Sequence, residues 1–109
     1  MAQYRGTTPT HTFTTDIDLT NTDTLYLSYA QGEGCKRKVL VEKTKIDLVI
    51  REDEVDSFLT QEETLKFCPD DSVEMQFRGT FITPEGKKRA VASNKMYCSF
   101  QDILKGGVI

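Results

Sequence analysis

The chain has 109 residues, 38% of them hydrophobic and 28% charged, with a formal net charge of −3. That length matches one domain and is enough to bury a core without disulfide or metal staples, so a single domain over residues 1–109 is expected. The balance argues against disorder, the longest apolar runs fall far short of the roughly 20 residues needed to cross a bilayer, and the negative charge argues against a nucleic-acid partner.

The opening MAQYRGTTPT has no apolar signal core behind Arg5, so no export is expected. Cys35, Cys68 and Cys98 are odd in number and widely spaced, which rules out a closed disulfide framework and fits a reducing cytosol.

Threonines at 7, 8, 10, 12, 14, 15, 20, 22 and 24 dominate the first segment. β-Branched side chains are stiff at χ1 and favour extended backbone, while Pro9 lacks a backbone donor and suits an edge strand. His11, Phe13 and Ile17 are expected to face inward, with a bulge or turn near Asp16. Asn21-Thr22-Asp23 reads as a turn, after which Leu25, Leu27 and Tyr29 alternate with Tyr26, Ser28 and Ala30. Gly32-Glu33-Gly34 supplies the positive φ angles of a hairpin returning through Val39 and Val41. Ile46, Leu48 and Ile50 form the next alternating set, the acidic turn Glu52-Asp53-Glu54 follows, and Val55 to Leu59 is another short strand.

Thr60-Gln61-Glu62-Glu63 has the form of a capping box and predicts one helical turn near residues 61–65, carrying Leu65 and Phe67 into the core and ending at Pro69. Val73, Met75 and Phe77 against Glu74, Gln76 and Arg78 give the clearest strand. Thr83-Pro84-Glu85-Gly86 turns the chain back through Ala90 and Ala92, and Met96, Cys98 and Phe100 form the last alternating set. The end is expected to be loose, with Val108 and Ile109 available to pair with an edge. About seven short strands and no long amphipathic helix predict an all-β, immunoglobulin-like sandwich, without the tryptophan and paired cysteines of antibody domains.

Residues able to do chemistry are sparse. His11 is the sole histidine, no nucleophile has an evident base, and His11 with three cysteines some thirty residues apart lacks the close ligand pairs of a zinc site. Cys98 reads as a buried apolar residue and Cys35 as an exposed loop thiol beside Lys36. The run Glu52, Asp53, Glu54 and Asp56 lacks a calcium-loop pattern, and Gly32-Glu33-Gly34 lacks the third glycine of a phosphate loop. Lys36-Arg37-Lys38 and Lys87-Lys88-Arg89 read as solvated turns. No enzyme activity, cofactor, metal or small-molecule substrate is therefore expected.

The segments Arg5-Gly6-Thr7-Thr8-Pro9-Thr10-His11-Thr12-Phe13, Leu25-Tyr26-Leu27-Ser28-Tyr29-Ala30-Gln31, Leu59 to Phe67 and Gly106-Gly107-Val108-Ile109 resemble small prophage proteins of Gram-positive bacteria encoded among phage structural genes. The strand order and the Thr-Gln-Glu-Glu-Thr turn are also similar to the N-terminal immunoglobulin-like domain of phage baseplate upper proteins, without the fibre or receptor-binding segment that follows there. The resemblance implies a virion-associated adaptor, made in the bacterial cytoplasm, whose partners are other phage structural proteins or itself. Thr8, Thr10, Thr12, Thr14, Tyr26, Tyr97, Val108 and Ile109 are the candidate protein contacts, and strand phase also points Phe58 outward. The alternative is a small regulatory or carbohydrate-binding β-sandwich, which an exposed aromatic platform would favour.

Overall fold

A computed structural model describes residues 2–15 and 19–109, with every side chain in those ranges except that of Cys35. The expectations for Asp16, Ile17 and the Cys35 thiol therefore lie outside the described residues. The strands are β1 (Thr10–Thr14), β2 (Thr24–Gln31), β3 (Lys38–Thr44), β4 (Leu48–Ile50), β5 (Glu54–Phe58), β6 (Val73–Ile82), β7 (Lys88–Ala92) and β8 (Met96–Cys98). Helix among the described residues amounts to α1 (Gln61–Thr64) and the 3₁₀ turns Leu19–Asn21, Gly34–Lys36 and Lys45–Asp47.

All ladders between these strands are antiparallel and form two sheets, one in the order β1-β5-β4 and one in the order β3-β2-β6-β7. β8 pairs with the start of β6 and β7 with its end, on the flank that β2 leaves open, so the two short strands act as one interrupted edge. In immunoglobulin lettering the first sheet is B-E-D and the second C′-C-F-G, the variable-type arrangement with no strand A or C″ among the described residues. A single parallel bridge from Tyr4 to Gln101 is what the described N-terminal arm contributes beside the last strand. The fold is thus the expected sandwich of about seven strands, here eight, with Ser93-Asn94-Lys95 separating β7 from β8 along one edge.

Alternation explains most of the core. Leu25, Leu27 and Tyr29 of β2 and Val73, Met75 and Phe77 of β6 are buried, and they meet Phe13, Val55 and Leu48 from the other sheet. Phe13 on strand B and Phe77 on strand F pack edge to face with centroids 5.2 Å apart, linking the two strands that antibody domains join by a disulfide. Gly79 is needed for close approach of β2 and β6, because a Cβ there would sit 2.8 Å from the Thr24 carbonyl oxygen. Gly32 turns the β2–β3 connection at a φ of 105°, a conformation glycine adopts without steric cost.

The crossing from the small sheet to the large one is made by α1, as its capping box predicts. Thr60 accepts from the Glu63 amide at 3.2 Å while the Glu63 carboxylate accepts from the Thr60 amide at 2.9 Å. Glu63 also accepts from Lys43 Nζ at 2.6 Å, tying α1 to β3. Phe67 then enters the core and stacks on Phe100 at 5.0 Å, whereas Leu65 is only half-buried.

Several sequence expectations need correction. Ile46 is 94% exposed because Thr44 and Asp47 cap a 3₁₀ turn over Lys45–Asp47, which takes Ile46 out of the strand phase shared by Leu48 and Ile50. β3 carries one extra residue, Leu40, where its register with β2 shifts between Tyr29 and Ala30, so Val39 opposite Ala30 is exposed although Val41 is buried. Ala30 is buried in its phase with Ser28, and Gln31 is buried with its side-chain amide bonded to the Cys68 and Asp71 backbone. Cys98 is partly buried rather than fully so. Val108 and Ile109 join no strand, and the Ile109 backbone instead exchanges hydrogen bonds with the Gln61 side chain at 2.8 and 3.1 Å. No helix among the described residues is long and apolar enough to cross a membrane.

Candidate protein-contact edge

β1 has a partner on one side only, since β5 flanks it and no other strand does among the described residues. Its register with β5 fixes which backbone groups remain free. Leu59 N–H donates to the Pro9 carbonyl and Thr15 N–H to the Asp53 carbonyl, so 9 and 15 are hydrogen-bonded positions, as are 11 and 13 between them. Thr10, Thr12 and Thr14 occupy the alternate positions, where N–H and C=O point away from β5. The missing donor of Pro9 falls on the β5 side, so proline does not blunt the open edge.

The threonine side chains at 10, 12 and 14 are exposed on the outer face of the small sheet. Thr12 Oγ1 donates to Asp56 at 2.8 Å, and Arg51 grips the same carboxylate from both terminal nitrogens at 2.9 and 3.0 Å. These hydrogen bonds, from Arg51 first and then Thr12, hold the Asp56 carboxyl below its usual pKa. Phe58 lies directly across from Thr10 and is 52% exposed.

On the inner side β1 is pinned by a polar chain through the core. Gln3 Oε1 meets His11 Nε2, His11 Nδ1 lies 3.0 Å from the Tyr29 hydroxyl, and the same hydroxyl lies 3.0 Å from Ser57 Oγ. Burial lowers the His11 pKa below the ordinary 6.5 and raises that of Tyr29. The neutral imidazole is therefore favoured by folding. As pH falls below 6.5 the unfolded chain binds a proton before the folded one does, so stability should decline until the lower folded pKa is passed. Asp56, Asp47, Asp102 and Glu63 also have lowered pKa values, so a second loss should begin as the pH falls into the ordinary carboxylate range and continue below it until the folded pKa values are passed. Thermal melts from pH 7.5 to 3 should show both steps, and His11→Gln should remove only the upper one; a wild-type profile flat between pH 7 and 5 would refute the assignment.

The other edges are less suited to pairing. β3 carries Lys38, Glu42 and Lys43, β7 begins with Lys88-Arg89, and β4 has three residues, all devices that discourage strand addition. β1, with the sequence Thr-His-Thr-Phe-Thr, has no acidic or permanently cationic side chain.

The sequence candidates do not converge on one surface. Thr10, Thr12 and Thr14 form the β1 edge, while Thr8 is exposed two residues before the strand. Tyr26, 39% exposed, and Tyr97, 61% exposed, stand on the outer face of the large sheet opposite Arg78 and Glu74 respectively. Four residues along β6 correspond to about 13 Å, so the two rings share no platform of the kind a sugar would stack on. Ile109 is held to Gln61 of α1 by its backbone, and Val108 precedes it, exposed. Sequence reasoning missed the Arg51–Asp56–Thr12 cluster, which only the β1-β5-β4 order brings together.

A cavity of about 360 Å³ opens between the sheets, lined mainly by Leu19, Leu25, Phe77, Val91 and Met96, with Thr14, Thr15, Ser93 and Asn94 as the polar residues that border it. No ionisable group lines it among the described residues, and no three His, Cys, Asp or Glu side chains converge as a metal site there or elsewhere among them. Comparison with protein-family models, curated proteins and solved structures finds no match to this chain.

Proposed function

We propose that this chain is a non-enzymatic protein-contact module whose β1 edge accepts a strand from another polypeptide, and that it serves as a virion-associated adaptor. The observation that carries the contact role is the unpaired, uncharged β1 edge with outward backbone groups at Thr10, Thr12 and Thr14. Such an edge is a template for β-augmentation, in which main-chain hydrogen bonds supply affinity. The virion role rests on the resemblance to prophage structural-cassette proteins.

The test is prophage induction followed by mass spectrometry of purified particles. The chain should be found in them at a fixed ratio to the other structural proteins, and Thr10→Lys with Thr14→Lys should remove it. Absence of the wild-type chain would contradict the virion role, and undiminished incorporation of the variant would contradict the β1 edge.

A further inference from the structure

Resting on the reading of β1 as the contact edge, we infer that one occupant of that edge is a second copy of this chain, paired antiparallel along β1 with Thr12 on the twofold axis. The open groups recur at every second residue, Thr10, Thr12 and Thr14, and are symmetric about Thr12. Antiparallel pairing of β1 with itself about that residue sets Thr10 of one copy opposite Thr14 of the other and Thr12 opposite Thr12. All these become hydrogen-bonded positions, at which facing residues exchange both backbone bonds. The free donors and acceptors of one copy thus find their counterparts on the other.

The side chains agree with the backbone. On the outer face threonine meets threonine, a favourable cross-strand pair, and no like charges face each other. Self-pairing of β3 or β7 would instead align strands bearing Lys38, Glu42 and Lys43 or Lys88 and Arg89. Pro9 does not interfere, since its ring nitrogen faces β5. The product is a continuous sheet β4-β5-β1-β1-β5-β4, closed by a twofold axis and therefore a dimer rather than a fibre. Five residues per strand bury a small area, which places the contact among weak, concentration-dependent interfaces.

The register makes a charge test specific. Because 10 faces 14 across the axis, Thr10→Lys with Thr14→Lys sets cation against cation, whereas Thr10→Glu with Thr14→Lys sets carboxylate against ammonium. Sedimentation over a concentration series into the millimolar range should show reversible dimerisation of the wild type, weakening by about tenfold or more in the first variant, and retention or strengthening in the second. Amide exchange at Thr10, Thr12 and Thr14 should slow as the wild-type concentration rises, a readout that needs no variant to fold. A wild type that stays monomeric overturns the self-pairing alone, leaving the edge for another chain and the particle experiment to judge it. A wild-type dimer in which neither variant changes affinity and these amides are unaffected overturns both the self-pairing and the reading of β1. Equal weakening by both variants overturns the proposed register.

Discussion

Phe77→Ala should destabilise the domain by about 3–5 kcal/mol, the usual cost of truncating a buried aromatic. Phe77 is 3% exposed on the central strand β6, and its ring receives Phe13 edge to face from the opposite sheet. Truncation therefore removes both the burial of a large apolar side chain and the main aromatic contact between strands B and F. The existing cavity also touches Phe77, so the new void would merge with space already present rather than collapse. In urea unfolding the midpoint should drop sharply with little change in slope. A loss below about 1 kcal/mol would mean that Phe77 is not the inter-sheet linchpin that its phase and contacts make it.

Tyr29→Phe should cost about 1–3 kcal/mol although it leaves the ring in place, because it orphans polar groups in the core. Tyr29 and Ser57 are fully buried, and the tyrosine hydroxyl joins Ser57 to His11. Without it, the Ser57 hydroxyl and His11 Nδ1 lose their partner in a region of low dielectric. Adding Ser57→Ala should recover part of the loss, since removing both partners of a buried hydrogen bond is cheaper than removing one. A double-mutant cycle in urea measures that coupling, and strictly additive losses would show that the chain from Gln3 to Ser57 does not act as a unit.

The strand pattern was legible where one face of the sheet is buried and the other wet, as at Val73–Phe77 and Leu25–Tyr29, because a period of two then records burial directly. The α1 turn was legible because its capping box is local chemistry. Alternation failed at Ile46 and at Val39, where a 3₁₀ turn and an extra residue in β3 change the phase without a marked change in composition. The polar chain through His11, Tyr29 and Ser57 was illegible because its members come from three strands, and nothing in their local sequence states that they meet. The same is true of the candidate site. Threonine content and Pro9 announced an extended, edge-like segment, but which side of β1 is open follows from its pairing with β5, a long-range fact. Tyr26 and Tyr97 point outward as their strand phase indicated, yet topology places them on the other sheet, and Val108 and Ile109, expected to pair with an edge, join no strand.

Residue-resolved amide exchange in dilute protein tests the open β1 edge most directly. The amides of His11 and Phe13, bonded to β5, should be protected, while those of Thr10, Thr12 and Thr14 should exchange much faster, giving an alternation along five consecutive residues. Uniform protection across Thr10–Thr14 in the dilute monomer would mean that both sides of the strand are already paired, and would contradict the account of β1 as a free edge.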